Sequence, residues 1–111
     1  MVSTGEIELL VPHSLPMPSN DALADFCRRH AIVRLALFGS ALRDDFGPES
    51  DIDVEVTFRS GFMYDLDDVE MMVSELSTLF GRRVDLVPSH AVRNRFIRRE
   101  IEATRRVLYA A

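Results

Sequence analysis

The sequence predicts a small α/β domain in which helices and strands alternate, and three patterns carry that prediction. Ile52, Val54, Val56 and Phe58 alternate with Asp51, Asp53, Glu55 and Thr57, the period-two signature of a strand with one buried face. Leu66, Val69, Val73, Leu76 and Phe80 recur at helical spacing, and Met72 and Leu79 widen their stripe. Residues 32–38, IVRLALF, form an apolar run of the kind expected of a central strand buried on both faces.

Taken in order, residues 6–11 (EIELLV) suit a short strand or an ordered arm. Residues 12–19 carry three prolines and read as a surface linker, so residues 1–19 are assigned to an N-terminal arm and residues 20–111 to the domain. His13 lies in that linker with no acid or cysteine nearby and is read as a solvated loop residue. Asn20 is a suitable cap for a helix from about Asp21 to His30, with Leu23, Phe26, Cys27 and His30 on one face. Cys27 is expected in the core, and His30 as a C-terminal cap or packed polar residue. Gly39 ends the first strand, Ser40 can cap a short helical turn, and Phe46-Gly47-Pro48 stops it.

The strand from Asp51 to Phe58 follows. Asp65 then caps a helix through Phe80, with Asp67 and Asp68 in its first turn and Gly81 as its stop. Met63, Met71 and Met72 are expected as core filler. Arg83 to Val87 reads as a third strand ended by Pro88, with Arg83, Asp85 and Val87 on one face. Ser89 is expected to cap a last helix to about Tyr109, burying Val92, Phe96, Ile97, Ile101, Thr104 and Leu108. The expected order is α-β-α-β-α-β-α.

With 111 residues the chain has the size of one domain, and 47% apolar and 28% charged residues are ordinary for a globular protein. No apolar run approaches the length of a membrane span, and no basic-then-apolar segment opens the chain. The cytoplasm is the default compartment. A single cysteine excludes an intrachain disulfide and a cysteine-rich zinc site. The net charge of −5 argues against general nucleic-acid binding. The basic residues are all arginine, and eight of the 13 lie from Arg82 onward. Any phosphate or acidic partner is therefore met by guanidinium groups, which can offer two parallel hydrogen bonds.

The chemistry concentrates between Leu37 and Val56 (LFGSALRDDFGPESDIDVEV). Asp51 and Asp53, two apart on a strand, point the same way and can share a pair of divalent cations. Their hard oxygens, with no histidine or thiolate cluster nearby, favour magnesium. Asp85, expected on a neighbouring strand, would add a third carboxylate that holds metal and accepts the proton of an attacking hydroxyl. Gly39 lets backbone approach a phosphate, Ser40 offers a hydroxyl and a helical N-terminus, and Arg43 lies one turn further on. A triphosphate so held and attacked at its α-phosphorus would undergo nucleotidyl transfer. The alternative is a polar, solvated sheet face, of which Glu55 would be a member. Three carboxylates on internal strands repel one another and lose solvation, so cations account for them better.

Gly39-Ser40 followed after ten residues by Asp51-x-Asp53, with a later Asp85, resembles the nucleotidyltransferase superfamily of DNA polymerase beta. More narrowly, that stretch together with GRRVDLVPSHAVRNRFIRREIEATRRVLYA resembles the minimal nucleotidyltransferases, the MntA-like antitoxins, over roughly residues 20–110. The resemblance implies a mixed β-sheet packed by helices that binds ATP and two magnesium ions. Gly39 and Ser40 would hold the triphosphate, and Asp51, Asp53 and Asp85 would ligate metal, with Asp85 the expected base. It also implies a partner, a HEPN-family (HepT-like) ribonuclease toxin that receives AMP on a tyrosine hydroxyl. Asp44 departs from the family pattern, which often has glycine there. Two other readings stay open: neutralisation of the partner by binding alone, through Arg95, Arg98, Arg99 and Arg105, and transfer to a small molecule.

Overall fold

In the computed structural model the described residues are 17–39 and 51–111. Residues 1–16 of the N-terminal arm, and Ser40, Arg43 and Asp44, lie outside them. Three helices and four strands are formed there: α1 (Asn20–Arg29), β1 (Ile32–Phe38), β2 (Ile52–Phe58), α2 (Leu66–Phe80), β3 (Val84–Pro88), α3 (Arg95–Thr104) and β4 (Arg106–Ala110). The sheet order is β3-β2-β1-β4. β1 is antiparallel to both β2 and β4, whereas β2 and β3 are parallel and α2 makes the crossover between them. The sheet is therefore mixed, as the resemblance implies.

α1 is capped by Ser19, whose hydroxyl accepts from the Ala22 amide at 3.1 Å, so Asn20 is the first helical residue rather than the expected cap. Leu23, Phe26 and Cys27 are buried as expected. His30 ends the helix by donating its backbone N–H to Phe26. The His30 ring lies on Phe26, and its Nε2 is 3.0 Å from Glu75 Oε1 on α2. Arg29 bonds the same carboxylate and also Asp25, so α1 and α2 are tied by charge as well as by apolar contact. These bonds, with Arg29 the largest contributor, hold the Glu75 carboxyl below the usual range.

α2 follows the sequence closely. Asp65 and Asp68 form a reciprocal capping box, and Gly81 closes the helix with φ +68°. Met72, Leu76 and Phe80 enter the core, but Leu66 and Met71 are exposed, as is Met63 in the preceding turn. Met71 is one residue from Met72 and so is turned about 100° away from the sheet, while Leu66 sits in the exposed first turn. The core joins these α2 residues to Leu23, Phe26 and Cys27 of α1 and to Leu35, Leu37, Ile52, Val54, Val56 and Val84 of the sheet. Both helices thus cover one face, and Asp51, Asp53, Glu55 and Thr57 project from the other.

The C-terminal quarter differs from the expected single helix. Ser89–Ala91 is only a 3-10 turn, and α3 starts after Asn94, whose side chain accepts from the Phe96 and Ile97 amides. At Arg105 the backbone becomes extended, and Arg106–Ala110 adds to the free edge of β1. The row of N–H and C=O groups along β1 is satisfied by that pairing, and RVLYA has the branched and aromatic residues a strand favours. Pairing thus overrides helical spacing. Of the expected helical stripe only Ile101 is buried in α3, whereas Phe96 is 80% and Ile97 51% exposed. Leu108 does pack against the core, but as a strand residue.

The altered path has a packing consequence. Arg105, at the α3–β4 junction, donates from a terminal guanidinium nitrogen to Glu55 Oε1 at 3.1 Å. Glu55 is 5% exposed, so this carboxylate is answered by a mostly buried guanidinium. Breaking a buried pair leaves one charge uncompensated, at a typical cost of about 3–5 kcal/mol, whereas replacing both members can be nearly neutral.

Two stability predictions follow from this packing. In urea unfolding, Arg105→Met should destabilise the protein by about 3 kcal/mol, and Glu55→Met combined with Arg105→Met should recover most of the loss. Burial pushes the Cys27 thiol up to about 12 from an ordinary value near 9.0. Stability associated with Cys27 is therefore intact below about pH 9 and declines as pH rises toward 12. At pH 8 a thiol reagent should label the native protein far more slowly than the urea-unfolded chain.

Candidate active site

Parallel pairing of β2 with β3 builds the site. The register places Asp53 beside Asp85, Ile52 beside Val84 and Glu55 beside Val87. One step earlier the Ile52 amide donates to the Arg83 carbonyl at 2.9 Å. Strands so paired lie about 4.8 Å apart, so the Asp53 and Asp85 carboxyl groups leave one face of the sheet as neighbours. Asp51, one pleat earlier, projects toward the same face about 6.5–7 Å along the strand. Two predicted acids are thus brought side by side and the third stands next in line.

The positions differ in exposure. β2 is internal, and Asp53 is half-buried; β3 is an edge strand, and Asp85 is exposed. The expectation that all three carboxylates stand on internal strands is corrected here for Asp85. Pro88 closes β3, a place where an edge strand tolerates the missing N–H.

Gly39 is the predicted phosphate-turn residue within the described residues. β1 pairs with β2 so that Phe38 lies opposite Asp53, and Gly39 follows directly. Its φ is +68°, and a Cβ built there would lie 3.2 Å from Asp53 Cγ and closer still to Oδ2. Glycine is needed twice over: for the left-handed backbone and for room beside the carboxylate. Gly39 therefore lies directly against Asp53. Ser40 and Arg43, the other predicted nucleotide contacts, lie outside the described residues.

Charge surrounds this row. Arg83, two residues before Asp85 on the same face, places Nε 3.7 Å from Asp51 Oδ1. Glu55, further along β2, is satisfied by Arg105. Neither pairing was anticipated from the sequence. Arg83 was expected on the face of Asp85, but not its approach to Asp51; the Glu55–Arg105 pair required knowing that the chain turns at Arg105. Thr57 and Ser89 hydroxyls meet at 3.1 Å further along. An open cavity of about 330 Å³ at the start of α3 is lined by Asn94, Arg95, Phe96 and Arg99, and holds none of the predicted site residues.

The donor set fits a hard divalent cation. It consists of carboxylate oxygens, and the lone cysteine is buried on the other side of the sheet among core residues. Among the described residues no three acid, histidine or cysteine side chains converge into a ready-made cage. The register supplies neighbouring ligands rather than a closed coordination shell.

Comparison with known proteins identifies the family. The family model for the nucleotidyltransferase domain matches residues 20–108. A protein of Methanocaldococcus jannaschii, provisionally named a protein adenylyltransferase, is 35% identical over 78 residues, covering 67% of this chain and 74% of that protein. A solved structure provisionally described as a minimal nucleotidyltransferase superposes with a TM-score of 0.64 at 30% identity, over 78% of this chain and 86% of that one. Two more distant structures share the fold. One is a toxin–antitoxin assembly with AMP-PNP (TM-score 0.66, 18% identity, 84% of this chain and 74% of that chain). The other is a complex of a tri-AMPylated HEPN toxin of Shewanella oneidensis with an MNT antitoxin (TM-score 0.58, 17% identity, 83% and 70%). Gly39 packed on Asp53, and Asp53 in register with Asp85, are thus found in a chain that belongs to the nucleotidyltransferase domain family.

Proposed function

We propose that this nucleotidyltransferase is an antitoxin that transfers AMP from ATP to a tyrosine hydroxyl of a HEPN-family toxin. The observation that carries the reading is the adjacency of Asp53 and Asp85 beside the Gly39 turn. A triphosphate seated on that turn would meet these two carboxylates, which supports the reading. The printed descriptions of the relatives point the same way, through adenylyl transfer, AMP-PNP and an AMPylated HEPN toxin.

In this reading Asp51, Asp53 and Asp85 would hold two magnesium ions, which when bound neutralise the triphosphate and polarise the α-phosphoryl group. The chain's own residues do the rest. Gly39, Ser40 and Arg43 seat the phosphates. Asp85, exposed at the edge strand, is open to an acceptor brought by another molecule and takes the phenolic proton. The tyrosine oxygen bonds to the α-phosphorus as the bond to the bridging oxygen breaks, and pyrophosphate leaves with that electron pair.

A second reading has its own observation. Phe96 and Ile97 are exposed on the arginine-rich α3, a surface suited to neutralising a partner by binding alone.

Intact-mass measurement of the HEPN partner, incubated with this protein, ATP and magnesium, should reveal added adenylyl groups on tyrosine. Asp51→Asn and Asp53→Asn should each slow transfer by about two orders of magnitude or more, the scale on which loss of one transition-state-stabilising group acts. Their circular dichroism should remain that of the wild type. Retained transfer by both variants would overturn the metal assignment, and a partner without added mass would overturn the transfer itself.

A further inference from the structure

Among the described residues, Arg83 stands beside the carboxylate row and has no part in the proposed chemistry. Three observations bear on it. Its backbone is fixed, because the Arg83 carbonyl accepts the Ile52 amide at the mouth of the β2–β3 pair. Its side chain shares a face with Asp85, and its Nε lies 3.7 Å from Asp51 Oδ1. That side chain is 80% exposed and the Asp51 side chain 40%, so the pair is loose and solvated, not a packed structural bridge.

An exposed ion pair of this length contributes little to folding. The Glu55–Arg105 pair, on the same sheet face, is buried and has the geometry of a structural contact. Arg83 instead holds a long, exposed guanidinium near a carboxylate proposed to bind cations. Guanidinium groups bind phosphate oxygens with paired hydrogen bonds and can swing through several ångströms.

We propose that Arg83 is a phosphate-binding residue that rests on Asp51 in the free protein and turns to the nucleotide's phosphates when Asp51 is engaged. This rests on the nucleotidyltransferase reading above and adds to it a ligand from β3. The ligand class is a nucleoside triphosphate, or the pyrophosphate it releases. Until nucleotide arrives, the guanidinium offsets part of the repulsion among Asp51, Asp53 and Asp85. Arg83 then has opposite effects on two ligands: it competes with a cation for Asp51 and it recruits phosphate.

Those opposite signs supply the test. Binding of a fluorescent ATP analogue to the isolated protein with magnesium, and binding of Mn²⁺ alone followed by electron paramagnetic resonance, are measured for wild type, Arg83→Gln, Arg83→Lys and Arg28→Gln. Arg28 is exposed on α1 and serves as the control for loss of one positive charge. Arg83→Gln should weaken the nucleotide about tenfold, the scale of a charge-assisted hydrogen bond. It should also tighten Mn²⁺ about threefold, as removal of a cation near 4 Å in a solvated setting allows. Arg83→Lys should recover part of the nucleotide affinity, and Arg28→Gln should change neither. Loss of both affinities in Arg83→Gln would mark a structural role and overturn the proposal. Unchanged nucleotide affinity in Arg83→Gln, with wild-type binding intact, would overturn the role of Arg83 while leaving the nucleotidyltransferase reading standing. Failure of the wild type itself to bind the analogue would overturn both.

Discussion

The register between β2 and β3 is the constraint on which the rest of the site depends. Side chains alternate along a strand, so a slip of one residue would set Val84 beside Asp53 and send Asp85 toward the helices. Several features hold the register. Val84 is buried opposite Ile52, and the Ser77 hydroxyl accepts the Val84 amide at 3.2 Å, anchoring the first residue of β3 to α2. Gly81 stops α2 in the left-handed region, which leaves Arg82 and Arg83 to span the gap to the strand. The distance between an acid on β2 and an acid on β3 is thus fixed by where a helix stops.

The two faces of the sheet have divided roles. One is sealed by α1 and α2 over a continuous apolar core. The other is charged, and its burden is graded along β2. Glu55, the most buried acid among the described residues, is answered by a buried guanidinium, while the guanidinium of Arg83 that meets Asp51 is exposed. Asp53 lies between them, pressed by Gly39 on one side and Asp85 on the other. The carboxylates therefore become easier of access toward the mouth of the β2–β3 pair, where a charged ligand would enter. The chain's last strand takes part in this arrangement, since β4 pairing fixes the junction from which Arg105 reaches Glu55.

Much of this was legible from local pattern. The strand 32–38, the alternation after Asp51 and the helix between Asp65 and Gly81 each carry periodicity and caps that agree. What local pattern could not supply was partnership. β4 has helical spacing continuous with α3, and only the open edge of β1 makes it a strand. Met63 and Met71 read as apolar filler, but their burial depends on which way a helix faces, and they face water. The acids were located by their spacing. Asp85 was also expected on a neighbouring strand, but the register that sets it beside Asp53 was not legible, because a parallel register is set by the crossover rather than by either strand alone. The close approach of Gly39 to Asp53 was likewise foreseeable in kind, as a turn needing glycine, but not in its partner.

In the proposed function the carboxylate row acts by chemistry and not by shape. Growth of cells expressing the proposed HEPN partner together with this protein tests it most directly, with wild type compared against Asp53→Asn at matched protein levels. Asp53 contributes to no core cluster, so the substitution should leave the fold and the exposed surface of α3 in place. The account predicts that wild type restores growth and Asp53→Asn does not, although the variant still co-purifies with the partner. Full restoration of growth by Asp53→Asn would contradict it and would show that binding alone neutralises the toxin.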